Sequence, residues 1–179
     1  RRDEAAMSAL LTQPASRRIV LRGGEPLMRA DGRLVRYPLT DPEFAPEGDL
    51  VFLGFEDNCA LFAGETSDAS EPFEDVRFSD PRAAGMRLEA GESGIYAFAR
   101  SLLLWRERRG FCSNCGGRLQ AVYGGLRRDC PACSTFHFPR TDPVDIMLPV
   151  DGEHCLLGRQ AAWPERVWSA LAGFMEPGE

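Results

Sequence analysis

An α+β fold is what three features of the 179-residue sequence predict. Short β-branched runs broken by Gly and Pro fill roughly the first 90 residues, one stretch after Ile95 has helical spacing, and two C-x2-C pairs follow it. A hydrophobic content of 44% is that of a globular chain able to bury a core.

The elements follow in order. "RRIVLRGGEPLM" and "GRLVRYPL" are strand-like runs interrupted by turn formers. "DLVFLGFEDNCALFAGE" reads as a hairpin, two apolar strands around Glu56-Asp57-Asn58, because Asp and Asn tolerate the backbone of a tight turn. "FEDVRF" is a further strand candidate, and "SDPRAAGMRLEAGESG" a polar connection with weak helix potential. Ile95, Phe98, Ala99, Leu102, Leu103 and Trp105 recur at helical spacing, and Ser93 is a candidate N-cap, so a helix is expected over about 93–108. Its apolar stripe suits core packing; a dimer surface is the alternative. Beyond the cysteines, Val144–Val150 and His154–Gly158 read as a hairpin turning at Asp151-Gly152. Three domains are expected: a β-rich unit over 1–94, a helix and metal module over 95–139, and a strand-rich unit over 140–179.

Cys112, Cys115, Cys130 and Cys133 form two C-x2-C pairs separated by fourteen residues. Each pair makes a knuckle whose amides point at the sulfurs, and the hairpin between them brings four thiolates to one Zn²⁺. Two disulfides are the competing reading, disfavoured because no basic-apolar-small leader marks the chain for an oxidising compartment. Four thiolates leave no open position on the metal, so its role would be structural. His137, four residues past Cys133, is expected to pack or hydrogen-bond beside the site, with ligation the sharper alternative. Cys59 and Cys155 have no partners at ligand spacing and are expected to be small buried apolar residues, and His154 to be exposed.

A net charge of −6 argues against a general nucleic-acid binder. The distribution is uneven: between Arg100 and Arg140 eight arginines face two acids, Glu107 and Asp129, so this segment is suited to an anionic ligand or forms a solvated basic surface. A zinc-ribbon module docking on RNA, DNA or protein through these arginines is therefore one functional reading. No apolar run approaches the roughly 18 residues that would span a bilayer, and the default compartment is the cytoplasm.

The stretch "WSALAGFMEPGE" delivers Ala172 and Gly173 to a glycine-acid loop in which Glu176 and Glu179 offer carboxylates to a hard cation, a weak signal on spacing alone. Together with the cysteine pairs, "HFPRTDPVDIML" and "CLLGRQ", it closely resembles the NADH pyrophosphatase family of Nudix hydrolases. "VFLGF…CALFAG" is similar to that family's N-terminal domain. The resemblance implies that residues 140–179 are the opening strands of a Nudix α/β/α sandwich. Gly173 and Glu179 stand at the first Gly and first Glu of the Nudix box, so its catalytic carboxylates are expected after Glu179. It further implies cleavage of NADH or NAD to nicotinamide mononucleotide and AMP, possible removal of NAD caps from RNA, catalytic Mg²⁺ or Mn²⁺, structural Zn²⁺ on the four cysteines, and a homodimer. By position, the Ala172 carbonyl would meet a catalytic metal, and Phe174 and Phe138 would line the nucleotide pocket.

Overall fold

The structure, a computed structural model, describes residues 1–70, 73 and 75–178. The chain divides into two compact units, Arg1–Pro139 and Arg140–Glu179. Among the described residues no helix is long and apolar enough to cross a membrane.

The first unit opens with helix α1 (Glu4–Thr12), followed by strands β1 (Arg17–Arg22), β2 (Glu25–Arg29), β3 (Tyr37–Pro38), β4 (Val51–Glu56), β5 (Cys59–Glu65) and β6 (Val76–Phe78). Helices α2 (Pro81–Arg87) and α3 (Ala90–Arg108) come next, then the small strands β7 (Gln120–Val122), β8 (Arg127–Asp129) and β9 (Phe136–His137). The larger sheet runs β4-β5-β1-β2-β6, with β3 also paired to β1. Its hairpins turn where the sequence supplies left-handed backbone. Gly23 and Gly24 lie at φ 58° and 79° between β1 and β2, and Asp57 and Asn58 at 47° and 63° between β4 and β5. The pairing of β1 with β5 is parallel, from Arg17↔Leu61 to Leu21↔Glu65.

Alternation along β1 assigns its side chains to two layers. Ile19 and Leu21 join Met28, Val51, Leu61 and Ala63 beneath Tyr96, Ala99, Leu102 and Leu103 of α3. Val20 packs with Leu27, Val35, Tyr37 and Phe44 in a second cluster, and Met7 and Leu10 of α1 cover Phe52, Ala60 and Phe62 in a third. The apolar stripe of α3 is thus core. The helix starts at Ala90 rather than at Ser93: Glu89 holds the N-cap position without a side-chain cap bond, and the Ser93 hydroxyl instead donates to the Leu88 carbonyl at 3.3 Å. Two shorter helices add to the sequence reading. Asp3 caps α1 by accepting from the Ala6 amide, and Asp80 with Pro81 starts α2 inside what reads as a polar connection.

Arg18 is fully buried on the α1 side of the sheet. Its guanidinium donates to the carbonyls of Pro38, Leu39, Asp41 and Glu43 at 2.7, 3.0, 2.6 and 2.8 Å, so one cation organises the whole 38–43 loop. Burial lowers its pKa from the usual arginine value, with Asp41 and Tyr37 opposing that shift. Burial, with Glu43 and Asp41 close by, pushes the neighbouring Tyr37 phenol up to about 12.

The β7–β8 turn docks on this core. Gly124 and Gly125 both have positive φ, and an added Cβ would stand 2.9 Å from Phe52 and 2.7 Å from Val51. Arg106 near the end of α3 donates to the Asp49 and Glu47 carbonyls, and Arg128 of β8 donates to the Arg106 and Leu119 carbonyls at 3.0 and 3.2 Å.

The second unit contains β10 (Val144–Met147), β11 (Val150–Asp151), β12 (His154–Cys155) and β13 (Leu171–Phe174). The expected hairpin is shorter and differently partnered. Pro149 has no amide with which to continue a ladder, so the first run splits there. β10 pairs with β13 instead, while β11 and β12 form a small hairpin around Gly152 and Glu153. None of the described side chains in this unit is buried.

Replacing Arg18 with Met leaves four part-buried carbonyls without their donor and is expected to cost about 3 kcal/mol in urea unfolding. A phenol whose folded pKa is raised stabilises the fold fully below the unfolded value and loses that contribution as pH rises through about 12. Stability should therefore fall between about pH 10 and 12, less steeply in Tyr37→Phe, as read from the urea midpoint across that range.

Candidate metal centre and functional residues

The small sheet β7-β8-β9 carries the cysteines on its flanking turns. Each knuckle closes in the same way. The Gly116 amide donates to the Cys112 carbonyl at 2.9 Å and the Ser134 amide to the Cys130 carbonyl at 2.8 Å, with Gly116 and Ser134 both at positive φ. The ligand Sγ atoms of Cys112, Cys115, Cys130 and Cys133 all lie within 4.8 Å of one another. Cys112 and Cys133 are 3.6 Å apart, and Cys115 and Cys130 3.4 Å. A tetrahedral ZnS4 site with bonds of about 2.3 Å needs sulfurs about 3.8 Å apart, so the constellation fits the ion.

The electrostatics agree. The Gly117 amide favours a Cys115 thiolate, yet hydrogen bonds shared with Cys133, Cys130 and Cys112 hold that thiol up to about 12. Hydrogen bonds from Thr135 and the Cys115 thiol bring Cys133 down to about 5. Four clustered sulfurs cannot all carry charge without a cation among them, and a divalent ion removes the conflict.

Groups around the sulfurs orient them. The Asn114 amide donates to Cys112 Sγ at 3.4 Å, Thr135 Oγ1 is 3.2 Å from Cys133 Sγ, and His137 Nε2 is 3.3 Å from Cys112 Sγ. His137 is thus a hydrogen-bonding neighbour of a ligand sulfur. Cysteine spacing does not single out Thr135 and Asn114; a polar residue inside or just after a C-x2-C knuckle is the signal that would find them. Of the remaining cysteines, Cys59 is half-buried and Cys155 exposed, which corrects the expectation that both are buried. The reason is local: Cys155 sits on the two-residue strand β12, where none of the described residues covers it. His154 is exposed as expected.

Arg127 forms the outer wall of the ribbon. Its guanidinium lies 4.0 Å from the Tyr123 ring centroid and 4.4 Å from that of Phe136, and it pairs with Asp129 at 2.7 Å. Phe138, just after β9, is 59% exposed.

In the second unit, Ala172 and Gly173 lie within β13, opposite Ile146 and Asp145 of β10. A Cβ added to Gly173 would meet nothing within 4 Å, so no contact within the described chain demands a glycine there. Phe174 ends the strand with its ring 73% exposed, and Glu176 follows in an exposed loop. Glu179 lies outside the described residues. Among the described residues the four cysteines are the only group of three or more His, Cys, Asp or Glu close enough to share an ion.

Cys130→Ser is expected to abolish stoichiometric zinc, measured by atomic absorption. It should retain most of the far-UV circular dichroism, because the three apolar clusters of the large sheet draw only Leu126 from the ribbon.

Two family models match the chain in tandem. One describes an NADH pyrophosphatase-like rudimentary NUDIX domain and covers residues 15–105, just over half the chain. The other describes the NADH pyrophosphatase zinc ribbon domain and covers residues 107–138. Among curated proteins, the NAD-capped RNA hydrolase NUDT12 of Homo sapiens is 43% identical over 109 residues, 55% of this chain and 24% of the relative. The mitochondrial NAD(P)H pyrophosphatase NUDT13 of Homo sapiens is 37% identical over 102 residues, 57% of this chain and 29% of its own. The NAD-capped RNA hydrolase NudC of Mycobacterium bovis is 34% identical over 157 residues, 84% of this chain and 49% of the relative. The chain thus spans half or less of the length of these relatives. With a rudimentary Nudix sheet closed by α3 and a four-cysteine ribbon directly behind it, the chain belongs to the NADH pyrophosphatase family of zinc-ribbon Nudix proteins.

Proposed function

We propose that the protein to which this chain belongs is a metal-dependent hydrolase. It cleaves the pyrophosphate bond of NADH or NAD, giving nicotinamide mononucleotide and AMP, and acts in the same way on NAD-capped RNA. The observation that carries the reading is the tandem match of the rudimentary NUDIX domain and the zinc ribbon, followed by the β10–β13 pair that contains Gly173. Relatives named for hydrolysis of NAD(P)H and of NAD-capped RNA support both substrates.

In this reading residues 140–179 are the opening strands of a Nudix sandwich. The Ala172 carbonyl is a ligand for Mg²⁺ or Mn²⁺, and Gly173 leaves the space that such an ion or a phosphate requires. When bound, the cation neutralises charge on the phosphoryl oxygens and activates water. Gly173 and Glu179 begin the Nudix box, with Glu179 bracing the catalytic helix. The exposed rings of Phe174 and Phe138 each offer a face on which a nicotinamide or adenine stacks. The four-cysteine zinc is structural and takes no part in the chemistry. The protein works as a homodimer in the cytoplasm.

One carbonyl and the nearby Glu176 do not make a complete site for a hard cation. The 179-residue chain alone is therefore expected to release no nicotinamide mononucleotide from NADH in Mg²⁺ or Mn²⁺. The test is chromatographic assay of NADH hydrolysis by this chain and by the product of the complete open reading frame. Activity in the second alone is expected, with Phe174→Ala raising KM about tenfold. No hydrolysis by the complete product would overturn the reading, and hydrolysis by the 179-residue chain would overturn the metal assignment.

A further inference from the structure

The eight arginines between Arg100 and Arg140 do not form a uniform basic surface. Arg106 and Arg128 are spent on backbone carbonyls that hold the ribbon to the sheet, and Arg127 is locked between Tyr123 and Phe136 with Asp129 as its counter-ion. Arg108, Arg109 and Arg118 are different. All three are exposed, and among the described residues none has a carboxylate within ion-pair distance.

The fold brings these three to one corner. Arg108 ends α3, Arg109 caps it, and the chain passes through Gly110 into Phe111, which forms an antiparallel bridge with Arg118. The Leu119 amide donates to the Gly110 carbonyl at 3.0 Å and the Cys112 amide to the Gly117 carbonyl at 2.8 Å, so the corner is fixed by the first zinc knuckle. Phe111 is 61% exposed, with the Arg118 guanidinium 5.5 Å from its ring centroid. The neighbouring acid, Glu107, lies near enough to Glu65 at the end of β5 to raise that carboxyl's pKa, though burial is the main cause of the shift. No ion pair among the described residues claims the three arginines, which leaves them to an external anion.

We propose that Arg108, Arg109, Arg118 and Phe111 form a contact site for single-stranded RNA, the arginines on successive phosphates and Phe111 stacked on a base. Unpaired guanidiniums beside an exposed ring match the alternation of charge and flat apolar surface along a nucleic-acid strand, and a free phosphate or an acidic peptide would have no use for the ring. The site deepens the capped-RNA reading by assigning residues to the RNA body rather than to the cap. A net charge of −6 makes such binding depend on this local cluster and on low salt.

The test is fluorescence anisotropy of an uncapped, 5′-labelled single-stranded RNA of about 20 nucleotides, titrated with the 179-residue chain from about 20 to 200 mM salt. Three arginine–phosphate contacts contribute about 2 to the slope of log affinity against log salt, so R108Q/R109Q/R118Q should flatten it by that amount. F111A should weaken binding about 5- to 50-fold at fixed salt without changing the slope. Zinc stoichiometry should match the parent in both variants, and R82Q, an exposed arginine of α2, should bind as the parent does. Absence of binding by the parent at the lowest salt, or an unchanged slope in the triple variant, would overturn the proposal. The probe carries no cap and is not cleaved, so this outcome is independent of NADH hydrolysis by the complete protein.

Discussion

Burial of one face of α3 is the constraint on which the first unit depends. Tyr96, Ala99, Leu102 and Leu103 close the layer formed by β1, β2, β4 and β5, and the Tyr96 hydroxyl donates to the Gly24 carbonyl at 2.8 Å in the β1–β2 turn. Leu102 and Leu103 each contribute roughly 1.5–3 kcal/mol on burial, so the stripe is worth several times what any surface ion pair supplies. The same helix carries the chain into the first zinc knuckle. Whatever fixes α3 on the sheet therefore fixes where the ribbon begins.

Polar ties then set the ribbon's orientation. Arg106 and Arg128 connect the Asp49 region, the end of α3 and β8 through carbonyl acceptors, which do not titrate. Gly124 and Gly125 bring the β7–β8 turn to van der Waals distance from Phe52 and Val51, where a side chain would collide. Arg36 does similar work elsewhere, bridging Glu56 at 2.5 Å and Glu92 at 2.9 Å to join the β4 end to the first turn of α3. These contacts add direction to a core that hydrophobic burial alone would leave free to rotate.

Local chemistry made much of this legible in the sequence. The Asp57-Asn58 turn, the α3 stripe and the paired cysteines each depend on neighbours a few residues away, and a single pattern encodes them. The parallel β1–β5 pairing leaves no such trace, because it joins residues more than forty apart. Nor does the four-carbonyl cage around Arg18, whose acceptors are backbone atoms that any sequence would supply. α1 is hard to read although Asp3 is a good cap, because its apolar residues are spread around the helix and give a weak stripe. In the second unit, Pro149 was readable as a strand breaker, but the choice of β13 as partner for β10 is tertiary. The roles of Ala172, Gly173 and Phe174 rest on likeness to the family rather than on any geometry that the β10–β13 pair supplies by itself.

The order in which contacts become possible during synthesis follows from the same connectivity. β1 emerges early, but its parallel neighbour β5 comes about forty residues later and the helix that covers them about eighty residues later. Until α3 has left the ribosome, β1 and β5 offer Ile19, Leu21, Leu61 and Ala63 to solvent as an open apolar surface. The ribbon, by contrast, closes a loop of about twenty residues and needs only zinc to do so. A nascent chain therefore passes through an interval in which its largest sheet lacks the helix that covers it, and that interval ends as the segment bearing the zinc ligands is made.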